Sequence, residues 1–182
     1  MATAKGYGVR HAYNAPLGTE TFLFDDDGLV PNSALPLIVR RRPVSPDGAD
    51  LAGSFKAIFA RNGWTGAWQN GIFDYHHYHS TAHEVLGIVA GAASVRFGGA
   101  AGDLVGLTAG DVVVIPAGIG HALVNGTEGL CVVGAYADGR AVDLIRDDPD
   151  RIAAARERIR DVPLPKSDPV DGPEGPLVKL WR

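Results

Sequence analysis

Hydrophobic and polar positions change rhythm along the chain. "ETFLF" and "LPLIV" are short apolar runs separated by the polar stretch "DDDGLVPNSA", which predicts two strands joined by turn material. Leu51, Phe55, Ile58 and Phe59 recur at i, i+4, i+7 and i+8. That is one stripe of a helix, predicted over Ala49–Arg61 and stopped by Asn62-Gly63. From Trp64 to Ala137 the period shortens. "GAWQNGIFDYHHYH", "EVLGIVAG", "ASVRFGG", "DLVGLTAG", "DVVVIPAG", "HALVNG" and "LCVVGAYA" are β-branched or aromatic segments divided by Gly-rich turns, the pattern of a sandwich or barrel. A second helix is predicted over Pro149–Arg160, with Asp148 as its cap and Pro149 at its first position. Residues 1–19 read as an irregular arm. The end, "VPLPKSDPVDGPEGPLVKLWR", is too rich in proline for regular structure but can dock on the barrel through Leu177, Leu180 and Trp181. The organisation expected is an arm, strands and a helix over 1–64, a barrel over 65–137, and a helix and tail over 138–182.

Composition sharpens this picture. Glycine accounts for 24 of the 182 residues, well above the usual ~7 %, and the glycines punctuate short apolar segments, as an all-β domain with many turns requires. The formal charge of −4 gives no reason to expect nucleic acid or an anionic membrane as partner. No apolar run approaches the ~18–20 residues of a membrane span. The first residues lack the apolar core of a secretion signal, and Cys131 is the single cysteine, so a reducing, cytoplasmic setting is expected, with Cys131 a buried structural thiol. The acidic triplet Asp25–Asp27 and the basic triplet Arg40–Arg42 read as solvated charges.

One stretch stands out chemically. "FDYHHYHSTAHE" (73–84) holds four of the six histidines and a carboxylate. Read as a strand, it sends side chains at i and i+2 to the same face, so His77 and His79 form a pair ~6–7 Å apart along the chain, while His76 and Tyr78 point the other way. Burying two imidazoles on one face needs compensation, which a metal ion supplies. Glu84 opens the next strand after the turn "STA", and antiparallel pairing would return it beside the histidines. His121 begins "HALVN" and offers a fourth ligand. A turn tighter by one residue would bring His83 rather than Glu84 to the ion.

With these positions in view, the chain resembles a known family. Gly71, His77, His79, Glu84 and Gly91 fill the pattern G-x5-H-x-H-x4-E-x6-G, and Gly110, Pro116, Gly118, His121 and Asn125 fill G-x5-P-x-G-x2-H-x3-N. Together they resemble the two motifs of the cupin superfamily. The head "ETFLFDDDG", the "NGW" before the barrel and the tail resemble a bacterial single-cupin subgroup, the YjlB type. The resemblance implies an all-β fold, a cupin-type jelly-roll barrel with two or so peripheral helices. It also implies one divalent transition metal per chain, held by His77, His79, Glu84 and His121. Three imidazoles with one carboxylate suit Fe, Mn, Ni, Co or Zn; Mg and Ca prefer oxygen donors. Gly91 and Gly110 fit hairpin turns that need positive φ, and Pro116 and Gly118 shape the turn that delivers His121.

The parity of His77 assigns Phe73 and Tyr75 to the pocket, Tyr75 as its polar group; the facing of Trp68 is left open by the intervening "QNG". Two functions follow as expectations. One is a metal-dependent dioxygenase, isomerase or decarboxylase acting on a small oxygenated metabolite. The other is a non-catalytic sensor of a small ligand. A homodimer is expected, paired through the N-terminal arm and the "LPLIV" strand.

Overall fold

The structure is a computed structural model that describes residues 18–47, 50–146 and 148–182. Most of the predicted N-terminal arm and Ala49 lie outside the described residues. The strands are β1 (Thr19–Phe24), β2 (Ser33–Arg40), β3 (Trp64–Asn70), β4 (Glu84–Ala90), β5 (Ala92–Phe97), β6 (Asp103–Thr108), β7 (Val112–Ile115), β8 (His121–Gly126) and β9 (Cys131–Ala137). The helices are α1 (Leu51–Arg61), α2 (Ile152–Arg160) and α3 (Pro176–Leu180). The strands form a six-stranded sheet in the order β1-β2-β7-β4-β9-β3, facing a three-stranded sheet in the order β6-β5-β8. Every named pairing is antiparallel, which makes the domain an all-β jelly roll.

Residue parity decides which side chains enter the barrel. Along β4, Leu86 and Ile88 face the core between the sheets, with Val113 and Ile115 of β7 and Val132 of β9. Glu84 shares the parity of Leu86 and Ile88, and Tyr136 shares that of Val132. The alternate residues Val85, Val112, Val114, Val133 and Ala135 form a second core on the outer face of the large sheet. There Leu51, Phe55 and Phe59 of α1 and, from the C-terminal tail, Leu177 and Trp181 cover them. Burial on both faces explains why "VVVI" reads as an unbroken apolar run.

Several expectations change. The segment predicted as a strand through His79 leaves the ladder at Asn70 and continues irregularly to His83. Among the described residues the main chain of His77 bonds to His121 and that of Tyr78 to Ile145, and the His79 carbonyl accepts from Gly118 N. These are isolated antiparallel bridges rather than a continuous ladder, so the chain is extended but forms no named strand. Glu84 accordingly reaches the site through β4, paired with β7 and β9 rather than with the histidine segment. α1 starts at Leu51, capped by the Asp50 carboxylate on Gly53 N at 2.8 Å. α2 starts at Ile152 because Asp148 closes a turn ahead of it, taking Asp150 N at 3.2 Å and Arg151 N at 3.1 Å. The tail contains the single-turn helix α3, whose Leu177 N donates to the buried Asp168 carboxylate, 3.1 Å. Arg40 and Arg41 are ion-paired, Arg40 with Asp171 at 2.7 Å and Arg41 with Glu20 at 2.6 Å and Asp111 at 3.1 Å. Cys131 is half-buried, 3.3 Å from Gln69 Nε2. β2 lies between β1 and β7, with β7 paired along Ile38–Arg40 only. No helix among the described residues is long and apolar enough to cross a membrane.

His83 belongs to this packing. Its Nδ1 accepts Ala117 N at 2.9 Å, and its ring lies 4.7 Å from that of Trp181. Burial, reinforced by the charge of Arg140, lowers its pKa to about 4. The unfolded chain therefore binds a proton near pH ~6.5 that the folded chain refuses until about pH 4. This contribution to stability is complete above the unfolded value and is lost as pH falls toward the folded one. Chemical denaturation across that window should show wild type losing about 2–3 kcal/mol more than His83→Asn. Equal losses in the two proteins would contradict a buried neutral imidazole.

Candidate metal centre

Three segments converge at one end of the barrel. The irregular stretch after β3 brings His77 and His79, β8 opens with His121, and β4 opens with Glu84. All four are buried. The turn before β8 places His121: Gly118 holds φ +95°, and a Cβ there would lie 2.3 Å from the Asn32 carbonyl, so only glycine fits. The same Gly118 donates its N–H to the His79 carbonyl at 2.8 Å, which ties the two histidine segments together. Gly91 and Gly110 also adopt positive φ, as expected of their turns.

The donor atoms of His77, His79 and His121 lie within 4.8 Å of one another. Each ring is oriented by a main-chain carbonyl at Nδ1: Tyr75 O for His77 at 3.1 Å, Ile119 O for His121 at 3.2 Å, and Asp143 O for His79. A carbonyl only accepts, so Nδ1 carries the proton and Nε2 presents a lone pair. Glu84 Oε2 stands 3.5 Å from Nε2 of both His79 and His121 and has no hydrogen-bond partner. A buried carboxylate oxygen at that distance gains too little to offset its desolvation. Donors each about 2.1 Å from one shared ion stand about 3–4 Å apart; the three imidazoles, mutually within 4.8 Å, could hold a metal ion, while Glu84 approaches two of them and lies outside that group.

The electrostatics agree with that use. Burial lowers the pKa of His77, and it lowers that of His121 further, helped by the two neighbouring imidazoles. Burial pulls on His79 in the same direction, but the neighbouring Glu84 carboxylate, with the Asp143 carbonyl, outweighs it and raises its pKa. His77 and His121 are therefore neutral, ready to ligate, near neutral pH.

Above the cluster lies a cavity of about 290 Å³, at the small end of ligand pockets. Trp68, Ile72, Phe73, Leu86, Val142 and Leu144 form its apolar walls. Phe73 lines it at the mouth, half exposed. Tyr75 does not: it stacks behind Phe73 at 4.9 Å, lies under the Arg146 guanidinium at 4.0 Å, and serves the site through its carbonyl. His76 is half-buried outside this cluster, and His83 packs under the tail.

Tyr136 is a further polar residue of the cavity wall, and it was not anticipated. It faces Glu84 across the β4–β9 pairing, and its hydroxyl accepts the Trp68 indole N–H at 3.0 Å. Burial first, then the Glu84 charge, push its pKa up, so it stays protonated. The alternation Val132-Gly134-Tyr136 carried this signal, but only the strand pairing shows which face meets Glu84. Gly134 completes the arrangement: a Cβ there would lie 2.2 Å from the Trp68 indole, so the ring can lie flat on β9 only over glycine.

Gly134→Ala should therefore displace Trp68 from the wall and cost about 1–3 kcal/mol. Urea denaturation and tryptophan fluorescence read both effects. Wild-type stability with unchanged fluorescence would show that Trp68 does not pack on Gly134.

A protein-family model described as "Cupin domain" matches residues 68–134. The Bacillus subtilis (strain 168) protein named "Uncharacterized protein YjlB" is 38 % identical over 164 residues, covering 90 % of this chain and 96 % of its own. Among solved structures, an acireductone dioxygenase from Bacillus anthracis with a cadmium ion in its active centre aligns at TM-score 0.40 and 17 % identity, over 70 % of this chain and 83 % of that one. A conserved Klebsiella pneumoniae protein with a double-stranded β-helix domain aligns at TM-score 0.36 and 15 % identity, over 77 % and 86 %. The barrel, the spaced histidines and the near full-length identity to the Bacillus subtilis protein make one conclusion: this chain belongs to the cupin superfamily.

Proposed function

We propose that this chain is a metal-dependent enzyme of dioxygenase, isomerase or decarboxylase type. It acts on a small oxygenated metabolite and holds one Fe, Mn, Ni, Co or Zn ion through His77, His79, His121 and Glu84. One observation carries the reading. Three imidazoles have Nδ1 engaged by carbonyls, which leaves three Nε2 lone pairs beside a buried carboxylate oxygen that no hydrogen bond satisfies. A divalent ion bound there supplies Lewis acidity toward an oxygen-donor substrate. The protein's own groups do the rest. The apolar walls seat the carbon skeleton and exclude water. Tyr136, protonated and placed opposite Glu84, orients that carboxylate and offers a hydrogen-bond donor to a substrate oxygen.

One observation favours the second reading, a non-catalytic sensor of a small ligand. Among the described residues lining the cavity, Glu84 is the one carboxylate, and its place in the histidine cluster leaves no free carboxylate base. The chain is further proposed to act in the cytoplasm, in keeping with a single cysteine, and to form a homodimer. The edge strand β1 and its neighbour β2, which carries "LPLIV", would form the contact between the two copies.

Elemental analysis of untagged protein should find about one transition metal per chain, and the double variant His77→Ala/His79→Ala almost none. Equal metal in both would refute the assignment. Oxygen uptake or product formation by metal-loaded protein on a metabolite panel supports the enzyme; thermal shifts without turnover support the sensor.

A further inference from the structure

The segment after β9, residues 138–146, crosses the mouth of the barrel and contributes Val142 and Leu144 to the cavity wall. Between these two residues stands Asp143, whose carbonyl accepts the Nδ1–H of His79. The segment is tied down almost entirely to the histidine stretch. The Asp143 carboxylate accepts Ser80 N at 2.6 Å and the Ser80 hydroxyl at 2.5 Å. Asp143 N donates to Thr81 Oγ1 at 3.1 Å, and Thr81 Oγ1 donates to the Ala141 carbonyl at 2.9 Å. Ile145 and Tyr78 exchange two main-chain bonds, 2.9 and 3.0 Å. From the far side, Arg158 of α2 donates to Ser80 Oγ at 2.7 Å.

We propose that Asp143 is a positioning residue that locks the cavity wall and the His79 ring as one unit. His79 needs Nδ1 protonated to present Nε2 to the cluster, and the acceptor that enforces this is the carbonyl of Asp143. That carbonyl lies in a connecting segment outside any sheet, where main-chain position is set by side-chain anchors. The strongest anchor is the carboxylate of the same residue, charge-assisted and bidentate on Ser80, the neighbour of His79. Releasing it frees the carbonyl and lets Val142 and Leu144 swing away from the cavity. Orientation of one imidazole and shape of the substrate wall therefore depend on the same two hydrogen bonds. A ligand tail pressed against Val142 and Leu144 would hold His79 in its ligating orientation.

The inference rests on the metal reading for one readout and not for the other. In metal-free protein above the histidine titration range, ring ¹H–¹⁵N correlation should show His79 in the Nδ1–H form in wild type. It should show a mixture of tautomers in Asp143→Ala. In cobalt-loaded protein, Asp143→Ala should release the ion to a chelator about tenfold faster, with an altered cobalt spectrum. Asp143→Asn, which keeps an acceptor for Ser80 N, should fall between them. Asp168→Ala, which loosens the distant tail, should lower the melting temperature while leaving His79 and cobalt release as in wild type. Ser80→Ala removes one of the two bonds and serves where Asp143→Ala does not fold. An unchanged His79 tautomer in the Asp143 and Ser80 variants would overturn the proposal. Failure of wild type to take up cobalt would overturn the metal reading instead, with the ring spectra still deciding this one.

Discussion

Three imidazoles and a carboxylate sit buried together at one end of a small barrel, and three main-chain carbonyls fix which way each ring faces. That constraint organises much of what surrounds it. Burying four polar side chains together costs several kcal/mol unless each finds a partner. The outward nitrogens find carbonyls; the inward ones find one another and Glu84 Oε2, at separations too long for good hydrogen bonds. The arrangement is the preorganisation a metal requires, with the rings oriented before any ion arrives.

The fold provides this by combining regular and irregular chain. β4 and β8 supply Glu84 and His121 at fixed register, where the two-residue alternation leaves no choice of face. The histidine stretch is extended but free of both sheets, so His77 can bond β8 while Tyr78 bonds the 138–146 segment. The large sheet is buried on one face by the three-stranded sheet and on the other by α1 and the tail, which holds β4, β7 and β9 steady beneath the site.

Much of the site was legible in the sequence because its logic is local. The spacing of His77 and His79 encodes a shared face even without a ladder. Glu84 and His121 stand at strand openings announced by turns, and Gly118 marks a backbone bend that no other residue accepts. What could not be read depends on contacts between distant segments. Tyr136 faces Glu84 only because β9 pairs with β4. Asp143 serves His79 through a carbonyl, a group every residue carries, and so leaves no trace in residue identity. The choice between Glu84 and His83 turned on one residue of register: β4 brings Glu84 beside His79 and His121, and His83 packs against Trp181. Tyr75 had the parity of a pocket residue, but the segment leaves the sheet there, and its ring lies outside the cavity wall.

X-ray absorption at the metal K-edge of protein purified with its own metal tests the central claim most directly. The account predicts a first shell with about three nitrogens near 2.0–2.2 Å, carrying the outer-shell scattering of imidazole rings, together with oxygen. A shell without imidazole scattering, or one containing sulfur, would contradict it.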